Sequence, residues 1–242
     1  MQSEFYRIEV SGRSEALWSY VLRPSGRTFA VAPPAFEVDG TLCHAALRDI
    51  QSAAQPVALP FGVTEYAFAG SLAQDDDLQL ALIFRVAQDS PVVRFRYRLA
   101  SHSGRTLTRR SGHDRLDYLG LDLTGMPNVR EVRFSEFRET IHSFCLSEVA
   151  LTPGDFDNGL HVMGPMVVAG DGQVSALVAY EHGSQVPDAF LRYQLATDRR
   201  ITLAAVKGAY LSGERLDPAT PFETVWLQFA AIEGDEDCLA SA

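Results

Sequence analysis

One stretch of this chain leaves little freedom of fold. In PVVRFRYRLA, residues 91–100, Val93, Phe95, Tyr97 and Leu99 alternate with Arg94, Arg96 and Arg98. A period of two puts the four apolar side chains on one side of an extended backbone and the three guanidiniums on the other. A 3.6-residue period would mix them on every face. This is the pattern of an antiparallel strand with one face on a core and one face toward water. The preceding LQLALIFRVA is a longer apolar run, and QDSP between the two reads as a hairpin connection.

The same reading extends along the chain. FYRIEV sets Phe5, Arg7 and Glu9 against Tyr6, Ile8 and Val10, and ALWSYVLR runs up to Pro24 and Gly26. VTEYAFAGSL, RLDYLGLDL, VREVRF, ETIHSFCLSEVAL, HVMGPMVVAG, VSALVAYEH, AFLRYQLA, RITLAAVKGAYL and FETVWLQFAAI are further strand-type runs. Turn residues separate many of them: Ser103-Gly104, Asp171-Gly172 and Thr197-Asp198-Arg199, with Asp171-Gly172 the strongest hairpin signal. LCHAALRDIQSA, residues 42–53, is the best helix candidate, and a helix of one or two turns is predicted there. No βαβ alternation and no short repeat accompany these strands. The expectation is an all-β fold, a sandwich of large antiparallel sheets forming a single domain over residues 1–242. The acidic tail EGDEDCLASA is expected to be weakly structured.

Composition narrows the partners. The formal net charge is −10, and the basic residues are 20 Arg and the single Lys207. An acidic surface repels a phosphate backbone, so no nucleic-acid partner is expected. No apolar run reaches the length of a membrane span and MQSEFYRIEV has no signal-peptide pattern, so no membrane partner is expected and a cytoplasmic location is. Cys43, Cys145 and Cys238 are an odd number at wide spacing, which fits free thiols rather than a disulfide or zinc framework.

The chemistry-bearing motifs are sparse. There is no G-x-S-x-G elbow, no P-loop and no dinucleotide fingerprint, and no cofactor or metal is expected. His142 and His161 lie in strand patterns, where a hydrogen-bonded structural role is the simpler reading. His102 and His113 flank a Gly- and Ser-rich segment read as a surface hairpin, with a sugar- or anion-binding loop as the sharper alternative. Asp75, Asp76 and Asp77 read as solvated turn residues or an edge guard. Glu136 and Glu139 are three apart, so in a strand they point to opposite faces. A glycosidase pair needs two carboxyl groups roughly 5–9.5 Å apart across one cleft. The most polar connection is AYEHGSQVPDAFLRY, where Gly183 and Pro187 interrupt Glu181, His182, Ser184, Gln185 and Asp188. It is first a strand–strand connection. Its five polar residues are the candidate contacts to carbohydrate or to a partner domain, and no catalytic residue is assigned.

AYEHGSQVPDAFLRYQL, AAVKGAYLSGERLD and FETVWLQF, with PVVRFRYRL and VREVRFSEF, resemble the N-terminal domain of family 36 glycoside hydrolases, the α-galactosidase type. The resemblance is carried from about Pro91 onward. It implies a β-supersandwich of galactose-mutarotase-like topology, followed in the family by a catalytic (β/α)₈ barrel and a small β domain. The family's nucleophile lies in a Lys-x-Asp pattern of that barrel. Here Lys207 is followed by Gly208 and Ala209, so no catalytic residue carries over and the barrel lies outside this chain. The implied role is a non-catalytic domain that packs on the barrel and helps shape the carbohydrate cleft. The implied partners are that barrel, α-galactoside sugars and further copies in a homo-oligomer. The alternatives are a free-standing carbohydrate-binding or mutarotase-like enzyme, using His161 or His182 with Glu148 or Glu181 as acid and base, and an interaction module without a ligand.

Overall fold

The structure is a computed structural model that describes residues 1–108, 116–123, 126, 131–138, 143–149, 160–163, 166–181, 190–195, 200–207 and 213–242. Its strands fall into three antiparallel sheets. The first contains β1 (Tyr6–Val10), β2 (Trp18–Leu22), β3 (Thr28–Ala32), β12 (Leu116–Asp122), β19 (Arg200–Lys207), β18 (Phe190–Leu195) and β15 (Leu160–Met163), in that spatial order. The second and largest runs β14 (Ser143–Val149), β13 (Glu131–Arg138), β16 (Met166–Gly170), β17 (Val174–Tyr180), β22 (Leu227–Glu233), β10 (Val93–Ser101), β9 (Asp75–Ala87), β8 (Val63–Leu72) and β6 (Leu47–Ser52). Two short strands extend it: β21 (Phe222–Glu223) on β10 and β7 (Val57–Ala58) on β8. The third is β20 (Glu214–Leu216), β11 (Arg105–Leu107), β4 (Ala35–Val38) and β5 (Thr41–His44). The expected all-β sandwich of large antiparallel sheets is the fold the chain adopts.

The core lies between the two large sheets. β10 buries Val93, Phe95, Tyr97 and Leu99 and leaves its arginines half-exposed, as its alternation requires. From the facing sheet Trp18 meets Phe95 and Phe84 edge-on, with centroids 4.7 and 5.3 Å apart. Tyr20 stacks on Tyr6 at 4.5 Å and meets Phe229 edge-on at 4.9 Å. Offset and edge-on contacts are the favoured ring geometries, and the polar tips of Tyr and Trp require partners when buried. Trp18 Nε1 donates to Tyr97 Oη at 3.2 Å, and Tyr20 Oη bonds the carbonyls of Pro91 and Ala231. A buried donor left unpaired would cost about 1–3 kcal/mol, so these bonds fix the register of the two sheets as well as filling the space between them.

Two expectations are corrected. Residues 42–53 do not form a helix: they provide the end of β5, a short connection and β6. The cause is the turn just before them. Asp39 and Gly40 both take positive φ, 48° and 78°, and close a two-residue hairpin in which Val38 faces Thr41 and Phe36 faces Cys43. Hairpin and sheet pairing outweigh a weak helical spacing of apolar residues. The acidic tail forms helix α1 (Glu236–Ser241), opened by the Asp235 carboxylate, which accepts from Cys238 N. The hairpin expected at Asp171-Gly172 is present, with Gly172 at φ 81° joining β16 to β17.

Candidate functional site

Of the five candidate contacts, Glu181 is described by the structure; His182, Ser184, Gln185 and Asp188 lie outside the described residues. Glu181 follows the last residue of β17, and its N–H donates to the Trp226 carbonyl at 2.8 Å. Its carboxylate receives Arg94 Nε and Nη2 at 2.5 and 2.7 Å, a two-pronged pair, and Gln228 Nε2 at 3.1 Å. Burial pushes its pKa upward, but the bonds from Arg94 and Gln228 and the charges of Arg94 and Arg85 outweigh that and hold it below the usual carboxylate range. A carboxylate so engaged accepts hydrogen bonds and stays ionised; it has no proton to give at neutral pH.

The pair belongs to a larger cluster on the outward face of the largest sheet. Antiparallel register sets Glu65, Arg85, Arg94 and Gln228 side by side across β8, β9, β10 and β22. Arg85 directly opposite Arg94 is a like-charge cross-strand pair, an unfavourable arrangement on its own. It is neutralised from both sides: Glu65 accepts from Arg85 at 2.8 Å, and Glu181 takes Arg94. One strand position along, Glu223 accepts from Arg96 at 2.7 Å and from Arg98 at 2.5 Å.

Trp226 stands in the middle of these charges. The guanidinium carbons of Arg85, Arg96 and Arg94 lie 4.2, 4.7 and 5.4 Å from its ring centroid, within cation–π range. A bulge puts the indole there. Arg98 pairs with Glu223 and Phe95 with Leu227, so three residues, 224–226, oppose two, Arg96 and Tyr97. The extra residue flips the facing of the chain and turns Trp226 outward. Buried Thr224 stabilises the irregularity: its Oγ1 accepts from Tyr97 N at 3.0 Å and donates to the Val225 carbonyl at 3.0 Å. Arg96 Nε is buried without a hydrogen-bond partner. The sequence reading missed this cluster and treated Arg94, Arg96 and Arg98 as a water-facing row. The signal was present in FETVWLQF. Alternation started at Phe222 would bury Trp226 and Gln228, whereas Leu227 and Phe229 are the buried ones; the apolar phase slips by one between Phe222 and Leu227.

The acidic run is also more engaged than expected. Asp75 and Asp77 sit within β9, and Arg105 reaches Asp75 at 3.0 Å, Asp77 at 3.9 Å and Asp39. Asp77 further accepts from Ser101 Oγ at 2.6 Å and from Ser103 N at 2.8 Å. Arg105, the first residue of β11, thus ties the turn before β5 to the start of β9. Asp76 remains at the surface, paired with Arg48. His102 is exposed, and Glu139, His113 and His142 lie outside the described residues. Cys43 and Cys238 are free thiols. Among the described residues no group of three or more His, Cys, Asp or Glu is arranged to hold a metal ion.

No family model matches the sequence, and no curated protein is similar to it. Its fold is nevertheless shared with solved glycosidases. A variant of the GH36 α-galactosidase AgaA from Geobacillus stearothermophilus, in complex with raffinose, has a TM-score of 0.61 at 10% identity, over 99% of this chain and 41% of that one. The α-N-acetylgalactosaminidase NagBb from Bifidobacterium bifidum, in complex with GalNAc, has a TM-score of 0.56 at 8% identity, over 100% and 37%. The galactosidase domain of the α-galactosidase–sucrose kinase AgaSK has a TM-score of 0.57 at 10% identity, over 84% and 30%. Identities this low establish the fold alone. The chain spans about two fifths of the length of the AgaA variant. The fold likeness reaches through the first ninety residues, where the sequence resemblance did not.

Proposed function

We propose that this chain is the N-terminal β-supersandwich of an α-galactosidase-like glycoside hydrolase, a non-catalytic domain that packs on the catalytic barrel and helps shape the carbohydrate cleft. One observation carries the reading: the whole chain matches a part, near two fifths, of GH36 α-galactosidase structures. In this proposal the remaining length, with its two barrel carboxylates, performs the retaining hydrolysis of α-galactosides. The chain forms a single domain, and its partners are the barrel, α-galactoside sugars at the cleft edge and, at the level of the whole protein, further copies. A cytoplasmic location remains part of the proposal.

Within it, Glu181 acts as the root of the contact segment rather than as a ligand. The residues that follow, His182, Ser184, Gln185 and Asp188, are the proposed contacts to sugar or to the barrel. Its engagement by Arg94 and Gln228 speaks against Glu181 as the acid or base of a free-standing mutarotase. Two measurements test the proposal. The purified 242-residue chain is expected to release no p-nitrophenol from p-nitrophenyl α-galactoside and to leave the mutarotation of fresh α-galactose at its spontaneous rate. Turnover in the first assay or acceleration in the second overturns the non-catalytic role. Reading the coding sequence beyond the codon for Ala242 tests the parent enzyme. A barrel with a Lys-x-Asp strand end is expected there, and a stop codon overturns the assignment to one polypeptide.

A further inference from the structure

The outward face of the largest sheet holds more than paired charges. Register aligns three rows of side chains across β10, β9 and β8: Arg94, Arg85 and Glu65; Arg96, Ile83 and Ala67; Arg98, Ala81 and Ala69. Long charged residues fill the first row. In the other two rows β10 supplies an arginine, while β9 and β8 supply short apolar side chains. Neighbouring strands lie about 4.8 Å apart, and residues two apart along a strand about 6.8 Å. Ile83, Ala67, Ala81 and Ala69 thus make a floor the size of one six-membered ring. Arg96 and Arg98 stand along one side of it, and Arg85 and Glu65 across one end. Ile83 is 6% exposed although alternation along β9 turns it outward, away from the core between the sheets. The taller side chains around it close over its part of the floor.

The arginine wall is one acceptor short. Arg85, Arg94, Arg96 and Arg98 are matched by three carboxylates, Glu65, Glu181 and Glu223, which leaves a local positive excess in a chain of net charge −10. Glu181 holds Arg94 through both Nε and Nη2. Arg96, two residues along, shares Glu223 with Arg98 and reaches it through Nη1, and its buried Nε has no partner among the described residues. A guanidinium is shaped to take a carboxylate on two parallel N–H groups. A buried charged donor without an acceptor is costly, and native proteins rarely keep one unless something supplies the acceptor. Half-exposed Trp226, with its ring centroid 4.7 Å from the Arg96 guanidinium carbon, adds a flat apolar surface beside the same arginine. Acceptors for hydroxyl groups are also at hand. A carboxylate has room for about four hydrogen bonds, and among the described residues Glu65 takes one, from Arg85.

We infer that this basin binds an acidic sugar, a hexuronate, with its carboxylate on Arg96, its ring over the Ile83–Ala81 floor and its hydroxyls toward Glu65. No bond-breaking step is assigned to it. All its residues lie in this chain, so the test does not depend on whether a barrel follows. Isothermal titration calorimetry at low ionic strength, where exposed charges are least screened, compares galacturonate, galactose and acetate on the wild-type chain. Galacturonate is expected to bind with a dissociation constant of about 1 mM. Galactose lacks the carboxylate and acetate the ring, and each is expected to bind about tenfold more weakly. R96Q keeps an amide donor but loses the charge and the fork. Because it also removes a neighbour of Trp226, A81L serves as the second variant: it fills the floor from a half-exposed position without touching a charge. Each is expected to weaken galacturonate about tenfold. Equal affinity for acetate rejects the sugar, and equal affinity for galactose rejects the carboxylate contact. Loss in R96Q with A81L unchanged rejects the floor as the seat of the ring. No heat from galacturonate, or an affinity unchanged in both variants, overturns the site.

Discussion

A single carboxylate shows how much neighbours decide. Glu181 in sequence is one polar residue of a loop; in the fold it is the acceptor that lets Arg94 stand opposite Arg85. E181Q is expected to cost about 1 kcal/mol, a small figure because the pair is only partly shielded from solvent. Its pH dependence is more telling. The native carboxylate titrates below its ordinary range, so its contribution is complete above about pH 4.3 and is lost as the pH falls further. Urea unfolding of wild type and E181Q should therefore differ at pH 7 and converge near the acid end. A gap that stays constant down to acid pH would contradict this account of the pair.

At the level of elements, strands meet at places that leave room for nothing larger than hydrogen. Gly70 in β8 lies against β6, whose register shifts between Arg48 and Gln51 with Asp49 at φ 53°. A Cβ at Gly70 would stand 2.5 Å from the Arg48 carbonyl oxygen, a backbone atom that cannot swing aside. G70A is expected to lower stability by about 1–3 kcal/mol, the range of overpacking; calorimetry showing an unchanged melting temperature would refute the close approach. Elements of this kind also mark where sequence reading ends. β10 was legible because its two faces differ in every residue. β5 and β6 were not, because Leu42, Ala46 and Ile50 repeat every four residues while the Asp39-Gly40 turn upstream decides the outcome. The Trp226 bulge depends on the register between β10 and a segment more than a hundred residues later, and local periodicity carries no record of that. Of the candidate site, the position of Glu181 directly after β17 could be read, but the arginine–indole cluster behind it could not.

Across the whole molecule the two large sheets are held by tyrosines that the fold keeps neutral. Burial raises the pKa values of Tyr6, Tyr20 and Tyr97 well above the ordinary phenol range, and pushes Tyr180 up to about 12. Stabilisation by a raised phenol is complete below about pH 10 and disappears as the pH rises toward the native value. Absorbance at 295 nm should show the exposed phenols ionising first, and the buried ones only together with loss of near-ultraviolet circular dichroism. All eight tyrosines titrating smoothly near pH 10 in an intact fold would exclude this. The chain also has just two tryptophans, and they occupy opposite sides of one sheet: Trp18 is sealed among Phe84 and Phe95, and Trp226 is half-exposed beneath three arginines. Replacing either by phenylalanine leaves a lone emitter, one tuned to the oily interior and the other to whatever settles on the outer surface, so that light from a single molecule can tell melting apart from docking.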